Sequence, residues 1–255
     1  MTAILLEASE LRVTVPGRVL VDGLGWQVRA GEFCALLGGN GSGKSLLLRT
    51  LAGLRAPDGG TVQLAGSPLG EISRRDVASQ LGFLPQDPDA PPQGTLRESV
   101  LLGRFAHLGF WEGTDADDER RVAEALAHVD LGALTQRDLA TLSGGEQRRA
   151  AIARLLVQSP SLYLLDEPTN HLDPGQQLAI LDRLRDLTLA GAAVLASLHD
   201  PNLALRFATH VCLMSGTGVA EVIECAALDV ARLERLYGIP FTEARIGAHR
   251  VVTAS

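Results

Sequence analysis

The sequence has 255 residues, 46% of them hydrophobic and 21% charged, and a formal net charge of -7 at pH 7. That length holds one large α/β domain, or one domain carrying a smaller insert, and the apolar share is enough for a sizeable core. The acidic balance argues against a dedicated nucleic-acid binder, whose affinity rests on a basic field, so no nucleic-acid partner is expected.

Residues 11–29 alternate apolar and polar in short runs broken by Pro16-Gly17 and Asp22-Gly23, which predicts small antiparallel strands with turns at both dipeptides. Residues 32–37 predict a buried strand, followed by a Gly-rich loop and a leucine-rich helix over 44–54, with a turn at 56–60. The character then changes. Residues 87–93 are rich in Pro and Asp, and helical periodicity follows over 96–108 and 119–129, so 87–158 is expected to be a helical insert. Strand signals return at 161–165 and 192–198 around a helix over 176–189. Strands alternating with helices predict a mostly parallel sheet. An amphipathic helix over 228–237 and a short tail over 239–255 close the chain.

No run approaches the roughly 20 apolar residues needed to span a bilayer, and the first residues lack the pattern of a signal peptide. A soluble protein is expected, with any membrane role supplied through a partner. Cys34, Cys212 and Cys225 show no C-x-x-C pairing and no His at zinc spacing. They read as small core thiols of a reducing cytosol.

Gly38-Gly39-Asn40-Gly41-Ser42-Gly43-Lys44-Ser45 fits G-x-x-x-x-G-K-[ST] between a predicted strand and a predicted helix. Glycines let backbone N–H groups turn inward and approach phosphate oxygens with no Cβ in the way. Lys44 can set its ammonium at the β/γ-phosphates and Ser45 its hydroxyl on Mg²⁺, with the helix N-terminus adding favourable potential. A plain glycine turn is the bland alternative. Gly39-x-Gly41-x-Gly43 breaks the dinucleotide spacing.

Asp166 and Glu167 end the apolar run Leu162-Tyr163-Leu164-Leu165, and strand alternation would send them in different directions. One can then hold the Mg²⁺ shell while the other faces an attacking water, which makes the chain a nucleotide hydrolase rather than a mere binder. Ser143-Gly144-Gly145-Glu146 has the S-x-x-E form of a capping box at a helix start. Its two glycines leave N–H groups bare for a γ-phosphate.

Leu142-Ser143-Gly144-Gly145-Glu146-Gln147 resembles the LSGGQ signature of the ABC ATPases, with Glu146 at the fifth position. Other family elements follow in order: Gln86 of Phe83-Leu84-Pro85-Gln86 as the Q-loop glutamine, Asn170-His171-Leu172-Asp173 as the D-loop, and His199 as the switch histidine. The resemblance implies a P-loop NTPase (RecA-like) α/β core over 1–86 and 159–255. That core would carry a small antiparallel N-terminal β-subdomain, with the helical signature subdomain over 87–158.

It also implies ATP and Mg²⁺ as cofactors. Gly38, Asn40, Gly41, Ser42, Gly43, Lys44 and Ser45 would hold the phosphates, while Ser45, Gln86 and Asp166 would hold the metal. Glu167 would be the general base, His199 would meet the γ-phosphate, and Asp173 would serve the D-loop. Ser143, Gly144, Gly145 and Glu146 would act on the ATP of a second, head-to-tail copy. One departure stands out: the family's adenine-stacking aromatic falls at Val15, which puts ATP over GTP in question.

Within the superfamily, residues 100–111, 169–173 with Gln176-Gln177, and 198–204 resemble the ATPase subunits of metal-chelate importers for ferric siderophores, haem and cobalamin. This implies paired copies on an integral membrane permease at the cytoplasmic face, served indirectly by a substrate-binding protein. Phe105, Phe110 and Trp111 are candidates for the permease contact, or for packing of the insert itself. An importer of another nutrient, an exporter and a soluble non-transport ATPase remain as alternatives, because the solute pathway lies in partner subunits.

Overall fold

The computed structural model describes residues 2–86, 94–108, 113–247 and 249–254. The chain opens with β1 (Ile4–Val15) and β2 (Arg18–Arg29), an antiparallel hairpin turning at Pro16-Gly17 as expected. Asp22-Gly23 is not a turn. It lies inside β2, where Leu11 faces Leu24 and Val13 faces Val21, so β2 carries one extra residue. Gly23, at φ 69, makes this a bulge that bends the strand without ending it.

Next come β3 (Phe33–Leu37), α1 (Lys44–Leu51), β4 (Gly59–Leu64) and β5 (Ser67–Pro68). After α2 (Arg74–Gln80) and β6 (Leu81–Leu84), the helical stretch holds α3 (Leu96–Leu101), α4 (Ala116–His128) and α5 (Gly144–Gln158). The predicted helix over 96–108 is α for its first part only and continues as a 3-10 turn, Leu102–Ala106. The chain returns through β7 (Leu162–Leu165), α6 (Pro174–Leu189), β8 (Ala193–Ser197), α7 (Pro201–Phe207), β9 (His210–Met214) and β10 (Ala220–Glu224). It closes with α8 (Val230–Tyr237), β11 (Phe241–Ile246) and β12 (His249–Ala254). The expected tail is therefore a hairpin, seated on α7 through Asn202, which bonds Val252 at both its backbone N–H and C=O.

Two principal sheets result. One is antiparallel, ordered β2-β1-β4-β5, and the other has six strands ordered β10-β9-β3-β8-β7-β6, parallel except for β10. β3 shows why its sequence is apolar throughout: all five residues are buried. Phe33, Ala35 and Leu37 face an apolar cluster shared with the helices of 96–158, while Cys34 and Leu36 face one shared with the antiparallel sheet. Strand alternation thus serves two cores at once. All three cysteines are buried and free, as core thiols should be.

Candidate nucleotide site

The site forms at the carboxyl ends of β3, β7 and β8, three adjacent parallel strands. β3 runs into Gly38, where a Cβ would lie 2.5 Å from the Met214 carbonyl, so the loop can leave the strand only through glycine. Gly43 adopts φ 101 and precedes α1, whose first N–H groups receive no side-chain cap. They remain available to an anion. Lys44 is buried and donates from Nζ to the carbonyls of Gly38 at 2.7 Å and Gly39 at 3.2 Å. Burial pulls its pKa below the ordinary value, against the opposing pull of Glu167 and Asp166. Ser42 Oγ is buried with no hydrogen-bond partner.

β7 stops at Leu165, so Asp166 and Glu167 stand just beyond the strand. Strand alternation is not what separates them: Glu167 takes a left-handed φ of 51. The fully buried Ser197, at the end of β8, serves both residues. Its Oγ donates to Asp166 Oδ1 at 2.7 Å and accepts from the Glu167 N–H at 2.8 Å. Glu167 in turn meets His199 Nε2 through Oε1 at 2.6 Å and accepts from Asn170 Nδ2 through Oε2. The His199 side chain is 45% exposed while that of Glu167 is 7% exposed, which joins a solvent-facing imidazole to a buried carboxylate.

A cavity of about 440 Å³ gathers residues 40–46 with Gln86, Glu167 and His199. Ser45 Oγ and Gln86 Oε1 stand 3.5 Å apart on its wall. Val15, Arg18 and Leu20 form the remaining side, and Val15 pairs across the hairpin with Arg18. The place expected to hold a ring thus has a valine facing a guanidinium. That guanidinium rests on the carbonyls of Gly216 and Gly41.

Other predicted residues lie off this cavity. Gly38 sits beneath the loop, and Asp166 is reached through Ser197. Ser143, Gly144, Gly145 and Glu146 are not on its wall. Ser143 caps α5 in a reciprocal capping box, with Glu146 Oε2 accepting from the Ser143 N–H at 2.8 Å. That backbone bond holds the Glu146 carboxyl below its usual range. Asp173 caps α6 by accepting from the Gln176 N–H.

Two further residues organise the site. One is Ser197, a lone hydroxyl in an apolar strand. The other is Arg148 on α5, buried among apolar residues of that helix. Arg148 donates to the carbonyls of Pro85, Gln86, Asp166 and Glu167, tying the signature helix to both loops. Each is visible in sequence only as a polar residue on an otherwise apolar face.

Phosphate and Mg²⁺ suit these residues. An unpartnered buried hydroxyl, a desolvated lysine and a Cβ-free loop call for an anion. Ser45 and Gln86 on the wall, with Asp166 behind it on Ser197, offer oxygens of the kind a hard cation takes. Fold and site together define a P-loop nucleoside-triphosphate hydrolase.

A family model described as ABC transporter matches residues 21–170. The achromobactin transport ATP-binding protein CbrD of Dickeya dadantii (strain 3937) is 36% identical over 94% of this chain and 89% of its own length. The hemin import ATP-binding protein HmuV of Streptomyces coelicolor (strain ATCC BAA-471 / A3(2) / M145) is 39% identical over 98% and 90%. A solved chain from a metal-chelate type ABC transporter in an inward-facing conformation superposes at TM-score 0.84 with 26% identity, covering 100% of this chain and 98% of that one. This chain belongs to the ABC transporter family, as an ATP-binding and ATP-hydrolysing subunit.

Proposed function

We propose that the chain powers import of a metal chelate, a ferric siderophore or haem, through a membrane permease at whose cytoplasmic face it sits. Cobalamin is the third member of the same class. Support comes from the similarity to siderophore and haem import subunits and to a metal-chelate type transporter. Among the described residues no helix is long and apolar enough to cross a membrane, so the pathway belongs to other subunits. The exposed Phe105, within the 3-10 turn Leu102–Ala106, is the proposed permease contact. Phe110 and Trp111 lie outside the described residues.

One observation carries the mechanism: the cavity collects Lys44, Ser45, Gln86, Glu167 and His199 but not the signature. A single chain thus holds half a site, and Ser143, Gly144 and Gly145 of a second copy complete it head to tail, with 87–158 as the subdomain that delivers them. Lys44 Nζ exchanges the Gly38 and Gly39 carbonyls for phosphate oxygens, recovering the hydration lost on burial. Ser45, Gln86 and Asp166 would hold Mg²⁺, which would supply charge neutralisation at the phosphates. Glu167 Oε1 polarises the attacking water once His199 turns from it towards the γ-phosphate.

The experiment is ATPase activity of the purified subunit, alone and with the permease encoded beside it, with Glu167→Gln as control. Stimulation by permease plus a binding protein loaded with ferric siderophore or haem, lost in the variant, is the expected result. Activity indifferent to any permease would overturn the transport reading, and near wild-type turnover by Glu167→Gln would overturn the role of Glu167.

A further inference from the structure

We propose a second cation site, made by Glu32, Cys34 and His210, that takes a borderline-soft divalent ion of the Zn²⁺ class. Its ligand atoms, a carboxylate oxygen, a thiol sulfur and an imidazole nitrogen, all lie within 4.8 Å of one another. Glu32 Oε2 is 3.9 Å from Cys34 Sγ, and Glu32 Oε1 is 3.9 Å from His210 Nδ1. Ligands around a tetrahedral ion at ordinary metal–sulfur, metal–nitrogen and metal–oxygen lengths stand about 3.5 Å apart. Each Glu32 oxygen is within half an ångström of that separation to one partner, Oε2 to Cys34 and Oε1 to His210. Drawing all three ligand atoms in from their 4.8 Å spread takes a turn of the carboxylate with small side-chain shifts.

The fold brings these three together for reasons unrelated to nucleotide. Glu32 immediately precedes β3 and Cys34 lies within it, two positions on, so both side chains project to one face. Parallel pairing of β3 with β9 sets Cys34 beside His210. These are the amino-terminal ends of the strands, and β3 reaches Gly38 only at its other end, some five residues or about 16 Å away. The cluster is therefore separate from the ATP cavity, whose walls contain none of the three.

The surroundings fit an open three-ligand site. Glu32 Oε2 accepts from the Arg29 N–H at 2.9 Å, which orients the carboxylate from behind. Cys34 is fully buried, whereas the Glu32 and His210 side chains are 17% and 31% exposed, so an ion enters from the Glu–His side and water fills the fourth position. His210 Nδ1 now sits 3.1 Å from Thr209 Oγ1, which also donates to the Phe33 carbonyl, and capture takes Nδ1 from this contact. Binding exchanges the Cys34 proton for the metal: the thiol releases H⁺ to solvent as the S–metal bond forms. Thiolate with imidazole selects against hard cations such as Mg²⁺, the ion proposed for the ATP site.

Spacing rules miss this set because no two of its nitrogen and sulfur donors are near in sequence. The test is titration of the metal-stripped full chain with Co²⁺, in excess Mg²⁺, followed by absorbance. A thiolate-to-cobalt charge-transfer band and intense tetrahedral d–d bands, saturating at one ion per chain and displaced by Zn²⁺, are expected. Cys34→Ser should abolish the charge-transfer band. His210→Gln, a change at the partly exposed edge, should keep that band while affinity falls at least tenfold. No charge-transfer band in the wild-type chain, or a band that survives in Cys34→Ser with unchanged affinity, overturns the site. If Cys34→Ser fails to fold, His210→Gln decides: wild-type affinity there also overturns it.

Discussion

Arg148→Met tests whether the signature helix and the two acid-bearing loops form one unit. Arg148 is 5% exposed, and its guanidinium bonds the carbonyls of Pro85, Gln86, Asp166 and Glu167. A hydrogen bond from a charged donor contributes about 1.5–3 kcal/mol, and four of them on one planar group are not additive. Removing the charge also relieves its desolvation cost, which offsets part of the loss. The net expectation is a destabilisation of about 3–5 kcal/mol, a large part of the 5–15 kcal/mol typical of a whole domain. Arg148 does not line the ATP cavity, so the nucleotide KM should move by less than about threefold, while kcat falls at least tenfold as Gln86 and Glu167 lose their backbone support. Urea unfolding followed by circular dichroism and steady-state ATPase measure the two effects. A loss under about 1 kcal/mol together with kcat within twofold of wild type would refute the reasoning, because it would mean the four carbonyls have adequate alternatives.

Ser197→Ala leaves both the Asp166 carboxylate and the Glu167 N–H short of a partner in a buried place, so urea unfolding should show a loss of about 2–4 kcal/mol. Gly103→Ala would put a Cβ 2.3 Å from the Arg154 carbonyl and 3.1 Å from the Gln158 N–H, both backbone atoms of α5 that cannot step aside. The same assay should show about 2–3 kcal/mol of overpacking. Lys44→Met should be as stable as wild type, or more so, without nucleotide at pH 7, while losing the ATP-induced rise in Tm. Burial lowers the Lys44 pKa from its ordinary 10.5, so the ammonium opposes folding at neutral pH. Wild-type stability should therefore gain on the variant as pH rises from the lowered value towards 10.5. A Tm series at alkaline pH in which the two chains stay parallel would contradict this.

What could be read from the sequence follows from where each constraint lives. Residues 38–45 were legible because cradling phosphate demands particular residues in one short stretch, and β3 because a strand buried on both faces must be apolar throughout. Asp22-Gly23 misled because the dipeptide favours a left-handed residue. A hairpin turn and a bulge inside a long strand both use one, and only pairing across β1 separates them. The hairpin Phe241–Ile246 with His249–Ala254 was read as a tail for a similar reason. β11 has no buried residue and β12 only Val252, so no alternation marked them as strands. The proposed Pro- and Asp-rich entry to the insert, 87–93, lies outside the described residues.

Arg148 and Ser197 show a different limit. Sequence reading assigned roles to the groups facing nucleotide, yet those groups are positioned by residues one bond behind them. Glu167 points where it does because φ is 51, its N–H is held by Ser197, its carbonyl by Arg148 and its carboxylate by Asn170 and His199. Four neighbours on three separate segments fix one carboxylate, and none is implied by an acid pair at a strand end. By contrast, Ser143 and Gly144 are exposed and off the cavity, and His199 is half-exposed. The buried half of the chemistry is built within the chain, and in the proposed mechanism the half that would complete it comes from His199 turning and from a second copy. That division gives a transport ATPase a physical reason to hold back hydrolysis until its subunits close.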